Sequence, residues 1–77
     1  MNDMRLDHLA PGAEAIVLAI DGEGPSVRRL MDLGFVPGTP VRFIRSAPLG
    51  DPLELVVRGM HLSLRRSEAA RVHVEPV

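Results

Sequence analysis

LELVVRGMHLSLRR (residues 53–66) decides the fold. Leu53, Leu55 and Val57 alternate with Glu54, Val56 and Arg58. After Gly59, Met60, Leu62 and Leu64 alternate with His61, Ser63 and Arg65. Side chains two apart lie on the same face of a strand, so each half has one apolar face. The Arg58-Gly59 pair between them reads as a tight turn, and the whole stretch as a β-hairpin.

The same reading extends outward. Val41 and Phe43 share a face with Arg45, so VRFIR (41–45) is a strand that bulges or ends within that span. Pro48, Gly50 and Pro52 crowd the loop that follows and stop any strand there. In AIVLAI (15–20), Ile16, Leu18 and Ile20 fall on one face and Val17 on the other, a strand covered in part on both sides. GEGPSVRRLMDLG (22–34) carries Pro25 where a helix starts and Gly34 just past where one ends. Val27, Leu30 and Met31 recur at helical spacing and Arg28, Arg29 and Asp32 lie opposite, so a helix is expected over Pro25–Leu33, with Met31 and Leu33 as core. Ser67 caps a short helical turn over 67–70, with Glu68 in its first turn. Val72 and Val74, alternating with His73 and Glu75, form a last strand. The expectation is a mainly β chain, a single domain over 1–77: a small SH3-like five-stranded antiparallel β-barrel with one inserted helix. An OB-like barrel shares the pattern of short strands. The core is expected chiefly from Ile16, Leu18, Leu53, Leu55, Leu62 and Leu64.

Composition narrows the function. Seventy-seven residues, 45% apolar and 25% charged, suit one folded domain and not a disordered tail. With no cysteine, disulfides, thiolate zinc sites and thiol catalysis are excluded. All nine basic residues are Arg, against ten acids, for a net charge of −1. Residues 1–40 hold three Arg and six acids (−3), residues 41–77 six Arg and four acids (+2). That balance and only two aromatics, Phe35 and Phe43, argue against nucleic-acid binding, where bases stack on aromatic rings. The longest clean apolar run, Ala15–Ile20, is too short to span a bilayer, and MNDMRLDHLAPG (1–12) has no hydrophobic stretch of a leader. The expectation is a cytoplasmic protein without direct membrane insertion.

Catalytic constellations are missing. Ser26, Thr39, Ser46, Ser63 and Ser67 are the only hydroxyls, and none lies in a nucleophile context. GEGP (22–25) lacks the spacing and the lysine of a phosphate loop. The expectation is no enzyme and no cofactor. His61 and His73 fall on outward faces; were their strands neighbours, the rings and Glu54 or Glu75 would form a candidate metal set, although no short ligand spacing supports it. Leu49 has two open readings: an exposed apolar tip on a stiff loop, or a side chain tucked over the barrel end.

LGFVPG (33–38), APLGDP (47–52) and LSLRRSEA (62–69), in this order and spacing, resemble the FeoA-like family, small cytoplasmic components of bacterial ferrous iron transport. The likeness runs from about Leu6 to the C-terminus. It implies an SH3-like barrel and a non-enzymatic partner of the membrane transporter FeoB, which carries a cytoplasmic GTP-binding domain. The chain departs from the family at Ala15, where glycine is frequent, and at Met60, where an aromatic is. The partner-binding residues expected on this resemblance are Arg28, Arg29, Leu33 and Gly34 at the helix end and Leu49, Gly50 and Asp51 in the loop. Similar domains close metal-dependent repressors, which implies an alternative, a Fe- or Mn-sensing module using His61, His73 and an acid such as Glu54. Open strand edges leave a route to weak homo-oligomers.

Overall fold

A computed structural model describes residues 3–77. Residues 1 and 2, part of the leader and single-domain readings, lie outside the described residues. The elements are β1 (Met4–Arg5), a 3-10 turn (Leu6–His8), β2 (Glu14–Ile20), α1 (Pro25–Asp32), β3 (Pro40–Ser46), β4 (Leu53–Val57), β5 (Met60–Leu64), α2 (Arg66–Ala69) and β6 (Val72–Pro76). The strands form one antiparallel sheet in the order β1-β6-β2-β3-β4-β5. The mainly β architecture is therefore as expected, with one strand more. Its two residues pair only as Met4↔Val74 and Arg5↔His73, too few for a periodic signal. Among the described residues the ladder stays open, since β1 and β5 do not pair.

The hairpin is placed as its alternation demands. Leu53, Leu55 and Val57 are buried and pair with Leu64, Leu62 and Met60. The turn has positive φ at both central residues, Arg58 at 53° and Gly59 at 76°, the twist that matches a two-residue hairpin. Burial fades along β5: Leu64 is buried, Leu62 half-buried, and Met60, at the turn end beyond the core, 53% exposed. The bulge in β3 is found where Arg45 broke the alternation. Phe43 pairs with Leu55 but Arg45 with Glu54, which sets Val41 and Phe43 inward and leaves Arg45 in solvent.

Strand β2 reverses the expected faces. Ala15 and Val17 are buried, while Ile16 and Leu18 are only half-buried. A register shift between Val17 and Ala19 turns the strand, and Ile20 packs against the core from beyond it. Because both faces of the segment are apolar, alternation alone does not say which faces in. The short Ala15 is fully buried where β2 pairs with both β3 and β6.

Helix α1 starts with Pro25 in its first turn and ends in a Schellman motif: the Phe35 N–H donates to the Leu30 carbonyl (3.1 Å) and the Gly34 N–H to that of Met31 (3.0 Å). Leu33 caps the helix and does not extend it. The motif turns Phe35 back into the core, where it is fully buried in the same cluster as Leu30. Met31, expected in the core, is 44% exposed, because α1 buries only Val27 and Leu30.

Fifteen buried apolar residues form one cluster with no cross-link, so the fold rests on packing. Leu55 is a fully buried member of it. Leu55→Ala is expected to destabilise the domain by about 2–5 kcal/mol in chemical denaturation, from lost transfer energy and the cavity left behind.

Candidate functional site

The residues expected to meet a partner lie on two segments that both reach α2. Four residues long, α2 is held at its start by two acids. Asp51 Oδ1 accepts the Arg66 N–H (2.9 Å), and Glu68 Oε1 accepts the Arg65 N–H (3.1 Å). The other oxygen of Glu68 accepts a hydrogen bond from Arg29 of α1. Thus α1 touches α2 through Arg29, and the 47–52 loop touches it through Asp51.

The loop is built to be stiff. The Gly50 N–H donates to the Ala47 carbonyl (2.7 Å), closing a turn with Pro48 and Leu49 at its tip, and the Ala47 N–H donates to Pro52 (2.9 Å). Proline at the second turn position presets the backbone. The Asp51–Pro52 peptide is cis. From behind, the half-buried Arg66 guanidinium donates to the Gly50 carbonyl (3.1 Å), the Asp7 carbonyl (3.1 Å) and Ser46 Oγ (3.3 Å). One side chain thereby ties the loop to the 3-10 turn and to the end of β3. Leu49 itself is 97% exposed, so the exposed-tip reading holds.

The expected residues divide by what they already do. Arg28 is exposed and, among the described residues, has no ion-pair partner; Arg29 is paired with Glu68. Leu33 is half-buried against the core. Gly34 is buried at φ +114°, where a Cβ would meet Arg58 Cδ at 3.3 Å and Val57 Cγ2 at 3.6 Å, so a side chain there is strained and crowded. Gly50 and Asp51 bond to Arg66. Arg66 and Glu68 were missed as site residues; the only sequence signal for them was the helical start after LSLRR. Met31 and Met60 were missed as exposed apolar groups because periodicity assigned both inward.

The candidate metal set does not assemble. His61 is on β5 and His73 on β6, with β4, β3 and β2 between them in the ladder, so the neighbour condition fails. Glu54 accepts a hydrogen bond from Arg45 Nε (2.9 Å). Among the described residues, no group of three or more His, Asp or Glu side chains is placed to hold a metal ion. His73 instead bridges two carboxylates, Nδ1 to Asp3 Oδ1 (3.0 Å) and Nε2 to Asp21 Oδ1 (2.7 Å). Serving both at once needs both ring nitrogens protonated. The bonds to Asp21 and then Asp3 raise the His73 pKa above its ordinary value, and the bond to His73 lowers that of Asp21. Arg5 NH1, 3.6 Å from Asp21, adds to the cluster.

A coiled antiparallel sheet with a helix between its first two long strands defines a class, the small SH3-like β domains, and the comparisons give the family. The FeoA domain model matches residues 4–76. The chain is 36% identical over 72 residues to a Porphyromonas gingivalis Fe(2+) transport protein A/Fe(2+) transporter FeoB fusion protein; the match covers 94% of the chain and 8% of the fusion, so the chain spans only a small part of that protein. The FeoA protein of Chlorobium tepidum superposes with a TM-score of 0.89 at 43% identity, over 96% of this chain and 70% of that one. Stenotrophomonas maltophilia FeoA, a prokaryotic SH3 domain protein crystallised with zinc, superposes at 0.83 and 37% identity, over 94% and 89% of the two chains. The chain belongs to the FeoA family, a family of ferrous iron transport. A manganese-dependent transcriptional repressor shares the fold alone, with a TM-score of 0.85 at 14% identity. No helix among the described residues is long and apolar enough to cross a membrane.

The His73 bridge has a signed pH dependence. Its contribution is fully present below the ordinary histidine pKa of about 6.5. It is lost as pH rises through the raised folded value. The Asp21 contribution is present above its ordinary value and lost as pH falls through the lowered one. Wild type is therefore expected to lose stability in urea titrations as pH rises above the ordinary histidine pKa of about 6.5 and through the raised folded value, and His73→Gln to flatten that dependence.

Proposed function

We propose that this protein is a non-enzymatic accessory that docks on the cytoplasmic GTP-binding domain of a FeoB-type ferrous iron transporter and modulates it. The observation that carries the reading is the P. gingivalis fusion, in which a FeoA-like segment and a FeoB transporter share one polypeptide. Fusion raises the effective concentration of two modules into the millimolar range (roughly), so modest affinity suffices. The S. maltophilia relative, put forward as a ferrous iron transport activating factor, points the same way.

The surface proposed is the one that flanks α2. Leu49 is the apolar anchor, on a loop whose ordering is complete before binding, so little further entropy is lost on docking. Arg28 offers a free guanidinium to an acidic partner surface, and Arg29 one shared with Glu68. Leu33, Gly34, Gly50 and Asp51 set the backbone shape that carries them. Burying one leucine contributes about 1.5–3 kcal/mol, enough to decide a micromolar interaction.

Calorimetry with the cognate transporter's cytoplasmic domain tests this. Wild type is expected to bind at tens of micromolar (roughly) or tighter. Leu49→Asp should weaken binding about tenfold or more while its thermal unfolding stays at the wild-type temperature. Arg28→Glu should slow association and reduce its salt dependence. GTP turnover with and without the chain reads the modulation. A folded wild type that does not bind removes the docking.

A further inference from the structure

We propose that Arg58 is an anion-recognising residue, and that the groove beside it on the outer face of β3 and β4 takes a carboxylate side chain from an extended segment of a protein partner. The surface is separate from the Leu49 loop, and the inference does not depend on docking there.

Four observations meet at this residue. Arg58 is, among the described residues, the one non-glycine with positive φ (53°). Two-residue hairpin turns of this kind favour Asn, Asp or Gly at that position, and arginine there is strained. Strain kept at an exposed position is a reason to look for a role. Its stem also lies over Gly34, at a distance that a side chain on residue 34 would disturb. Next, Arg42 on the same groove has its carboxylate, Glu14 at 3.3 Å, whereas Arg58, among the described residues, has none within ion-pair distance. Finally, Arg58 and Gly59 line an open groove of about 340 Å³ together with Pro40, Val56 and the Arg42–Glu14 pair.

The groove's chemistry selects the ligand. Glu14 neutralises Arg42, which leaves one unsatisfied cation beside apolar Pro40 and Val56. That suits a carboxylate next to an aliphatic side chain, with the guanidinium fork donating two N–H groups to the carboxylate oxygens. Nucleic acid fits poorly. Both phenylalanines are buried, so no ring is available to stack a base, and one free cation is a small footprint for a phosphate chain.

The experiment is a 15N–1H NMR titration of the full chain with the peptide acetyl-Leu-Glu-Val-Glu-Leu-amide, its Gln counterpart, and oligothymidylate. The acidic peptide should shift Val56, the Arg58 side-chain N–H and Gly59, and the Gln peptide should bind at least about fivefold more weakly. Arg58→Asn should abolish the difference between the peptides while raising the melting temperature by a few degrees, since Asn suits the turn better. Arg58→Lys, which keeps the charge but not the fork, should bind at an intermediate level. Equal binding of both peptides, shifts confined to other surfaces, or unchanged binding by a folded Arg58→Asn variant overturns the proposal. Stronger displacement of the same resonances by oligothymidylate overturns it in favour of a nucleic-acid site.

Discussion

The register of one hairpin holds this molecule together. Val57 pairs with Met60 across a two-residue turn, and every later pair follows from it. A slip by one residue would send Leu53, Leu55 and Leu64 into solvent and bring Glu54 and Ser63 inside. With no disulfide and a core held by apolar packing alone, nothing else would rescue the sheet. The positive φ at Arg58 and Gly59 is what fixes that register. The same turn then meets α1 at Gly34, so the inserted helix is positioned against the hairpin by a contact that needs glycine.

The sequence was legible where one pattern dominated. The hairpin, the helix ends at Pro25 and Gly34, and the bulge announced by Arg45 all follow from local rules with one reading each. Strand β2 was not legible in its faces, because Ile16 and Leu18 compete with Ala15 and Val17, and only the crowding by two neighbouring strands decides. Phe35 was missed because it lies past the helix end, where no period applies; the hydrophobic residue of a Schellman motif is the signal that would have found it. Met31 and Met60 obey their periods but sit at element ends where the core has run out. The histidine pair failed for a topological reason: strand order is a long-range property that alternation does not contain.

The candidate surface was legible in its tip and not in its support. Leu49 between proline and glycine is readable as a loop apex. That Arg66 braces the apex from 16 residues away in sequence is not, since it depends on α2 bringing the guanidinium under the loop. Arginine carries such work well. Its planar fork reaches two carbonyls and a hydroxyl at once, whereas a lysine would offer a single point charge. The use of arginine at all nine basic positions suits a protein whose cations are more often braces and paired groups than a loose positive field.

The division of labour between Leu49 and Arg66 bears on how such a protein changes over time. Leu49 packs against nothing in its own fold, and a substitution at a position like that typically moves stability by less than about 0.5 kcal/mol. Selection can therefore vary the tip almost free of folding constraints. Arg66 has no such latitude, since its loss would loosen three segments together. In this chain the loop apex is the place where the sequence can drift without cost to the fold, and the brace beneath it is the place where it cannot.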